Sequence, residues 1–117
     1  MNKLAAVRLY FPHAAHARRS KFWHRLLPPS LGHFLLKSAH RAGIQQVLHH
    51  SVHAGYLPGN KLSVRTPEVS APHHPSCIEL IDIEHKLRDF IQQHAEELKQ
   101  VRVVLHRCEL LESISGD

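Results

Sequence analysis

Two strand–helix–strand patterns, one on each side of a long connector, constrain this chain more than any other feature. The first runs from residues 4–11 through 31–43 to 44–52, and the second from 77–83 through 84–99 to 101–110. In the first strand Ala5, Val7, Leu9 and Phe11 fall on one face, the period-2 signal of a strand, and Pro12 ends it. Pro28-Pro29-Ser30 opens the following helix, where a proline in the first turn costs no hydrogen bond. Leu31, Phe34, Leu35, Ser38, Ala39 and Ala42 line up at helical spacing, and Gly43 supplies the stop. The second helix repeats the arrangement with Ile83, Leu87, Phe90, Ile91, His94 and Leu98, its start helped by Asp82 or Glu84. The order β-α-β-β-α-β is the split ferredoxin-like arrangement: an α+β fold with a four-stranded antiparallel sheet, strand order 4-1-3-2, and two helices on one face.

Because both helices cover the same face, the other face of the sheet is left open. Strands one, three and four carry apolar residues on both faces, for example Ile78 and Leu80 against Cys77, Ile81 and Ile83. The open face is therefore expected to be covered by another copy of the chain. At 117 residues the sequence fits a single domain spanning 1–117. It carries a basic insertion at about 12–29 and a connector at 54–75. The connector bears Gly55, Pro58, Gly59, Pro67, Pro72 and Pro75 and reads as a loop without regular structure. Loops of that length inside a compact domain are commonly functional.

Charge is divided unevenly. Ten of the fifteen Lys/Arg and none of the ten acids precede residue 68. Such asymmetry marks either a surface for an anionic partner or charges neutralised within the fold or between subunits. No apolar run approaches the roughly 20 residues of a membrane span. The first residues alternate like a strand and lack a signal-peptide layout, so the expected location is cytoplasmic. Cys77 and Cys108, each inside an expected strand, read as reduced and packed rather than paired, and no CxxC motif is present. No GxSxG, P-loop, HExxH or paired-carboxylate arrangement occurs, and Glu79 and Asp82 fall on opposite faces of their strand. The chain is expected not to be an enzyme.

Thirteen histidines are several times ordinary usage, and neutral imidazole is the commonest metal ligand. Candidate ligands for zinc, nickel or copper are His50, His53, His73 and His74. His49 and His53 share a strand face but lie about 13 Å apart at about 3.3 Å per residue, too far to grip one ion. A metal site must therefore join His50 or His53 to His73 and His74 across the base of the connector, or to another subunit. The bland alternative is scattered surface histidines. His13 and His16, three residues apart, chelate only from a helix, and Pro12 makes that segment a loop. The run Arg18-Arg19-Ser20-Lys21-Phe22-Trp23-His24-Arg25 interleaves cations with aromatics in the manner of a nucleic-acid patch. The same residues also suit rings packed on the domain with cations left in water. The third strand carries no stacking aromatics of the RNA-recognition type, so nucleic acid is not the favoured partner.

The segment LGHFLLKSAHRAGI resembles the first helix and turn of PII-like proteins, and HAGY at residues 53–56 resembles their exit from strand two into the T-loop. CIELIDIEHKLRDFIQQ resembles their third strand and second helix, and VRLYF the first strand of an uncharacterised PII-like branch. The resemblance covers about residues 4–110. It implies a homotrimeric regulatory or sensor protein that binds a small effector, a nucleotide or another anion, in clefts between subunits. It also implies a target protein met through the T-loop, here 54–75. The ligand-binding residues it points to are His53, Gly55 and Tyr56 at the loop base, with Lys61 and Arg65 as anion contacts. A divalent-metal-binding trimer of the cation-tolerance type shares the architecture. The sequence departs from the family at the loop between helix two and strand four. There HAEELKQ has no glycine, whereas the family cradles phosphate on a glycine-rich loop.

Overall fold

A computed structural model of the protein describes residues 3–17, 29–67 and 71–111. Among these residues eight elements follow in order: β1 (Leu4–Pro12), α1 (Leu31–Arg41), β2 (Gln46–His50), β3 (Ala54–Gly55), β4 (Ser63–Val64), β5 (Pro75–Ile83), α2 (Glu84–Gln93) and β6 (Arg102–Arg107). The main sheet has the order β2-β5-β1-β6, all antiparallel, which is the expected α+β ferredoxin-like topology. The basic–aromatic run at 18–25 lies outside the described residues.

Alternation along the strands decides what each face holds. On the helix side, the cross-strand rows Val47–Leu80–Val7–Leu105 and His49–Ile78–Leu9–Val103 face α1 and α2. Leu9, Ile78 and Leu80 are fully buried there, against Leu35 of α1 and Leu87 and Phe90 of α2. Burying each such side chain contributes about 1.5–3 kcal/mol.

The local signals at α1 act as the sequence implies. The Ser30 hydroxyl accepts from the His33 N–H, an N-cap bond. At the other end Gly43 has φ 74°. Its N–H reaches the His40 carbonyl, and the Ile44 N–H reaches that of Ala39, the double bond of a Schellman stop that a left-handed residue permits. Ala42, placed on the apolar stripe by spacing, is exposed as the C-cap.

Four expectations need correction. Helix α2 ends at Gln93 rather than 99 and continues as looser turns, with Leu98 N–H to His94 carbonyl at 3.1 Å. Glu96 and Glu97 would have stood at the negative end of a longer helix dipole, which disfavours it. Strand β6 stops at Arg107, so Cys108 lies beyond it and is exposed, while Cys77 is buried in β5; both are free thiols. The connector is not without regular structure, since β3 and β4 pair as a hairpin within it. Finally, the open face is mixed rather than apolar. The row Leu48–Glu79–Arg8–Val104 crosses its middle, and Arg8 Nε meets Glu79 Oε2 at 3.0 Å.

Candidate functional site: a basic groove at the base of the hairpin

The antiparallel pairing of β1 with β5 sets Pro12 opposite Pro75, which brings His13 beside His74. The His13 N–H donates to the His74 carbonyl at 2.7 Å. Strand β2 pairs with β5 on its other side, so His49 and His50 arrive at the same end of the sheet. The hairpin returns over this end, and Arg65 follows β4 directly, its N–H held by the His53 carbonyl at 2.8 Å. Together these residues line a groove of about 270 Å³ with Ser51, Val52, Pro75 and Ser76. Among the described residues, its lining holds one arginine, four histidines and no carboxylate.

His49 fits its place because α1 has no side chain there. A β-carbon at Gly32 would lie 2.8 Å from the His49 Cε1, so a side chain there would push the ring out of its present position. Burial pushes the His49 imidazole below its ordinary range, and the neighbouring His13 and His50 add to the effect. A group of cationic and imidazole side chains crowded together favours an anion that relieves their mutual repulsion. Phosphate-like and carboxylate ligands match this donor set, through Arg65 as a bidentate partner and the imidazole N–H groups.

Of the residues singled out by sequence, the groove gathers Arg65, His50 and His74. His50 is exposed, and its Nε2 lies 3.9 Å from Glu79 Oε1. His74 is 4% exposed and uses both ring nitrogens within the protein, on Ser63 and on Val52. His73 is half-buried in the turn before β5 and does not line the groove. His53 is exposed and contributes its backbone carbonyl, while Gly55 lies in β3 opposite Ser63. Tyr56 and Lys61 are exposed farther along the hairpin. Among the described residues no group of three or more His, Cys, Asp or Glu is arranged to hold a metal ion.

Sequence reasoning missed His13 and His49 as members of the groove. His13 belongs to the β1–α1 connection and His49 to the helix-side face of β2, so neither is close in sequence to Arg65. The available signal was the strand register, which sets the residue after Pro12 against the start of β5.

No family model matches the sequence, and no curated protein matches it. Among solved structures, a PII-like signaling protein from Thermus thermophilus superposes with a TM-score of 0.54 at 15% identity, over 92% of this chain and 86% of that one. That likeness establishes a shared fold. An amidase of the hydantoinase/carbamoylase family from Burkholderia phymatum aligns with a TM-score of 0.33 at 13% identity, over 94% of this chain and 29% of that one. At that level it carries no argument. No helix among the described residues is long and apolar enough to cross a membrane.

Proposed function

We propose that this chain is a non-enzymatic PII-like regulatory protein of the cytoplasm that binds a small anionic effector in the groove at the base of its 54–75 loop. The observation that carries the reading is the convergence of Arg65, His13, His49 and His50 on one groove with no carboxylate among the described residues. The shared fold with a PII-like signaling protein supports the regulatory setting. Arg65 is the anion contact from the loop, so occupancy and loop position are linked. The loop side offers a protein target exposed Tyr56, Leu62 and Val64 beside Lys61, with no acid between residues 53 and 67. A target surface that is apolar and edged with acids complements it. The open sheet face, with exposed Leu48 flanking the Arg8–Glu79 pair, is the surface through which three copies assemble.

The test is isothermal titration of inorganic phosphate and of nucleoside triphosphates into the untagged full chain. Saturable binding that falls at least ~10-fold in Arg65→Ala, with an unchanged melting temperature, is the expected outcome. An Arg65→Ala protein that binds phosphate as the unaltered chain does would overturn the assignment. Light scattering should give a mass of about three chains, and a monomer would remove the trimer from the proposal.

A further inference from the structure

The ring of His74 joins points that are distant along the connector. Its Nε2 lies 2.7 Å from the Val52 carbonyl, just past β2, and its Nδ1 lies 2.8 Å from the Ser63 hydroxyl, in β4. A carbonyl can only accept, so Nε2 carries the hydrogen. In the neutral ring Nδ1 then accepts from the Ser63 O–H. One tautomer and one ring orientation are thereby fixed.

Ser63 is 6% exposed, although the residues around it in the hairpin are mostly exposed. Burying a hydroxyl and an imidazole together gains little net free energy over an apolar pair of the same shape, but it imposes direction and register. The hairpin needs such a tie. It consists of two paired residues on each side, Ala54 with Val64 and Gly55 with Ser63, and a ribbon that short has no stability of its own. His74 in turn is anchored to the sheet end, since its carbonyl accepts from His13 and its N–H donates to the Ala71 carbonyl at 2.9 Å. It also lines the groove, and Arg65 stands two residues beyond Ser63.

We infer that the Ser63–His74–Val52 bridge is a latch that holds the hairpin against the sheet end and keeps Arg65 at the groove. His74 is a positioning residue in this role: it acts on the effector through the placement of Arg65. An anion that needs Arg65 binds only the closed latch, so it draws the hairpin closed. By the same linkage, any change that opens the latch weakens the anion. The coupling to the anion rests on the groove reading above, whereas the latch itself does not.

Hydrogen exchange measured by mass spectrometry on the full chain separates the two. In Ser63→Ala, amides of residues 54–64 should exchange about 10-fold faster or more, with β1 and β5 amides unchanged. Ser63→Thr, which keeps the hydroxyl, should preserve the slow exchange. If Ser63 acts by packing alone, alanine is tolerated and threonine is the harmful change, and that result would overturn the latch. His74→Phe keeps the ring without its hydrogen bonds and should match Ser63→Ala; if it does not fold, the serine pair still decides. Added inorganic phosphate should slow exchange at 54–64 in the unaltered protein. Phosphate that binds without slowing it overturns the coupling. Phosphate that does not bind at all removes the groove reading and leaves the exchange comparison to judge the latch.

Discussion

Strand β5 has a buried polar side chain near each end, and the two differ in how they are surrounded. Asp82, near its C-terminal end, is 1% exposed. Its carboxylate accepts from the Gln45 N–H at 3.0 Å, the Gln45 side-chain amide at 3.2 Å and the Ile83 N–H at 2.7 Å, and it pairs with Lys86 Nζ at 3.3 Å. Lys86 closes the arrangement by donating to the Gly43 carbonyl at 2.7 Å. The C-terminal stop of α1, the start of β2 and the start of α2 are thus bound to one carboxylate. His74, just before the other end, bonds the Ser63 hydroxyl and the Val52 backbone carbonyl through its ring and has a groove beside it. A buried polar group with every lone pair taken locks the elements around it. The His74 ring also has both nitrogens taken, but what it ties is a hairpin of two residue pairs, and a groove adjoins it. The Asp82 end joins main elements of the fold, and the His74 end adjoins the groove proposed for the effector.

The largest expected effect tests the scaffold half of this contrast. Asp82→Ala strands the Gln45 and Ile83 N–H groups and the Lys86 ammonium, at a cost of about 2–4 kcal/mol, and should lower Tm by about 10 °C or more. Burial alone would push the Asp82 carboxyl up, but the Ile83 and Gln45 N–H groups and Lys86 outweigh it and hold it below its ordinary range. The folded state therefore binds its proton less readily than the unfolded one. The stabilisation is present above about pH 4 and is lost as pH falls through the lower folded value. Denaturant titrations from about pH 6 down to about pH 2 should show that acid loss in the unaltered chain and a shallower one in Asp82→Asn. Equal slopes in both would break the contrast.

A smaller effect concerns exchange at the two ends. Amides of Gln45 and Ile83 should exchange only by global opening, and those of residues 54–64 by local opening several kcal/mol cheaper. Similar protection at both ends would mean the hairpin is scaffold too. The smallest effect falls at Gly32. Alanine there gains up to about 1 kcal/mol in helix propensity but displaces the His49 ring, whose Cε1 lies 2.8 Å from the new β-carbon. The two should nearly cancel in Tm, while phosphate affinity falls because His49 has moved. Burial, with His13 and His50, lowers the His49 imidazole pKa, so stability should decline slightly as pH drops below the unfolded value near about 6.5, and bound phosphate should reduce the decline.

The alternation of Ala5, Val7, Leu9 and Phe11, the stripe from Leu31 to Ala39 and the Gly43 stop were sufficient to read the fold, because burial of a strand face or helix stripe is a local, periodic property. The ends of α2 and β6 were not legible, since neither carries glycine or proline to mark a stop. Of the site, Arg65, His50 and His74 were visible as cation-capable residues around the connector. The hairpin was hidden because its pairs are short and include Gly55, a weak strand former.

The sequence by itself determined the element order, the sheet topology and the basic character of the loop base. The tertiary structure decided which histidines share a groove and which one serves as a tie. The pairings of β1 and β2 with β5 bring His13, His49 and His74 together from separate segments. Burial then gives His74 two internal partners, while Arg65 and His50 line the groove with it. Proximity across strands and access to solvent are set by register and packing, and neither is a property of a residue's place in the chain.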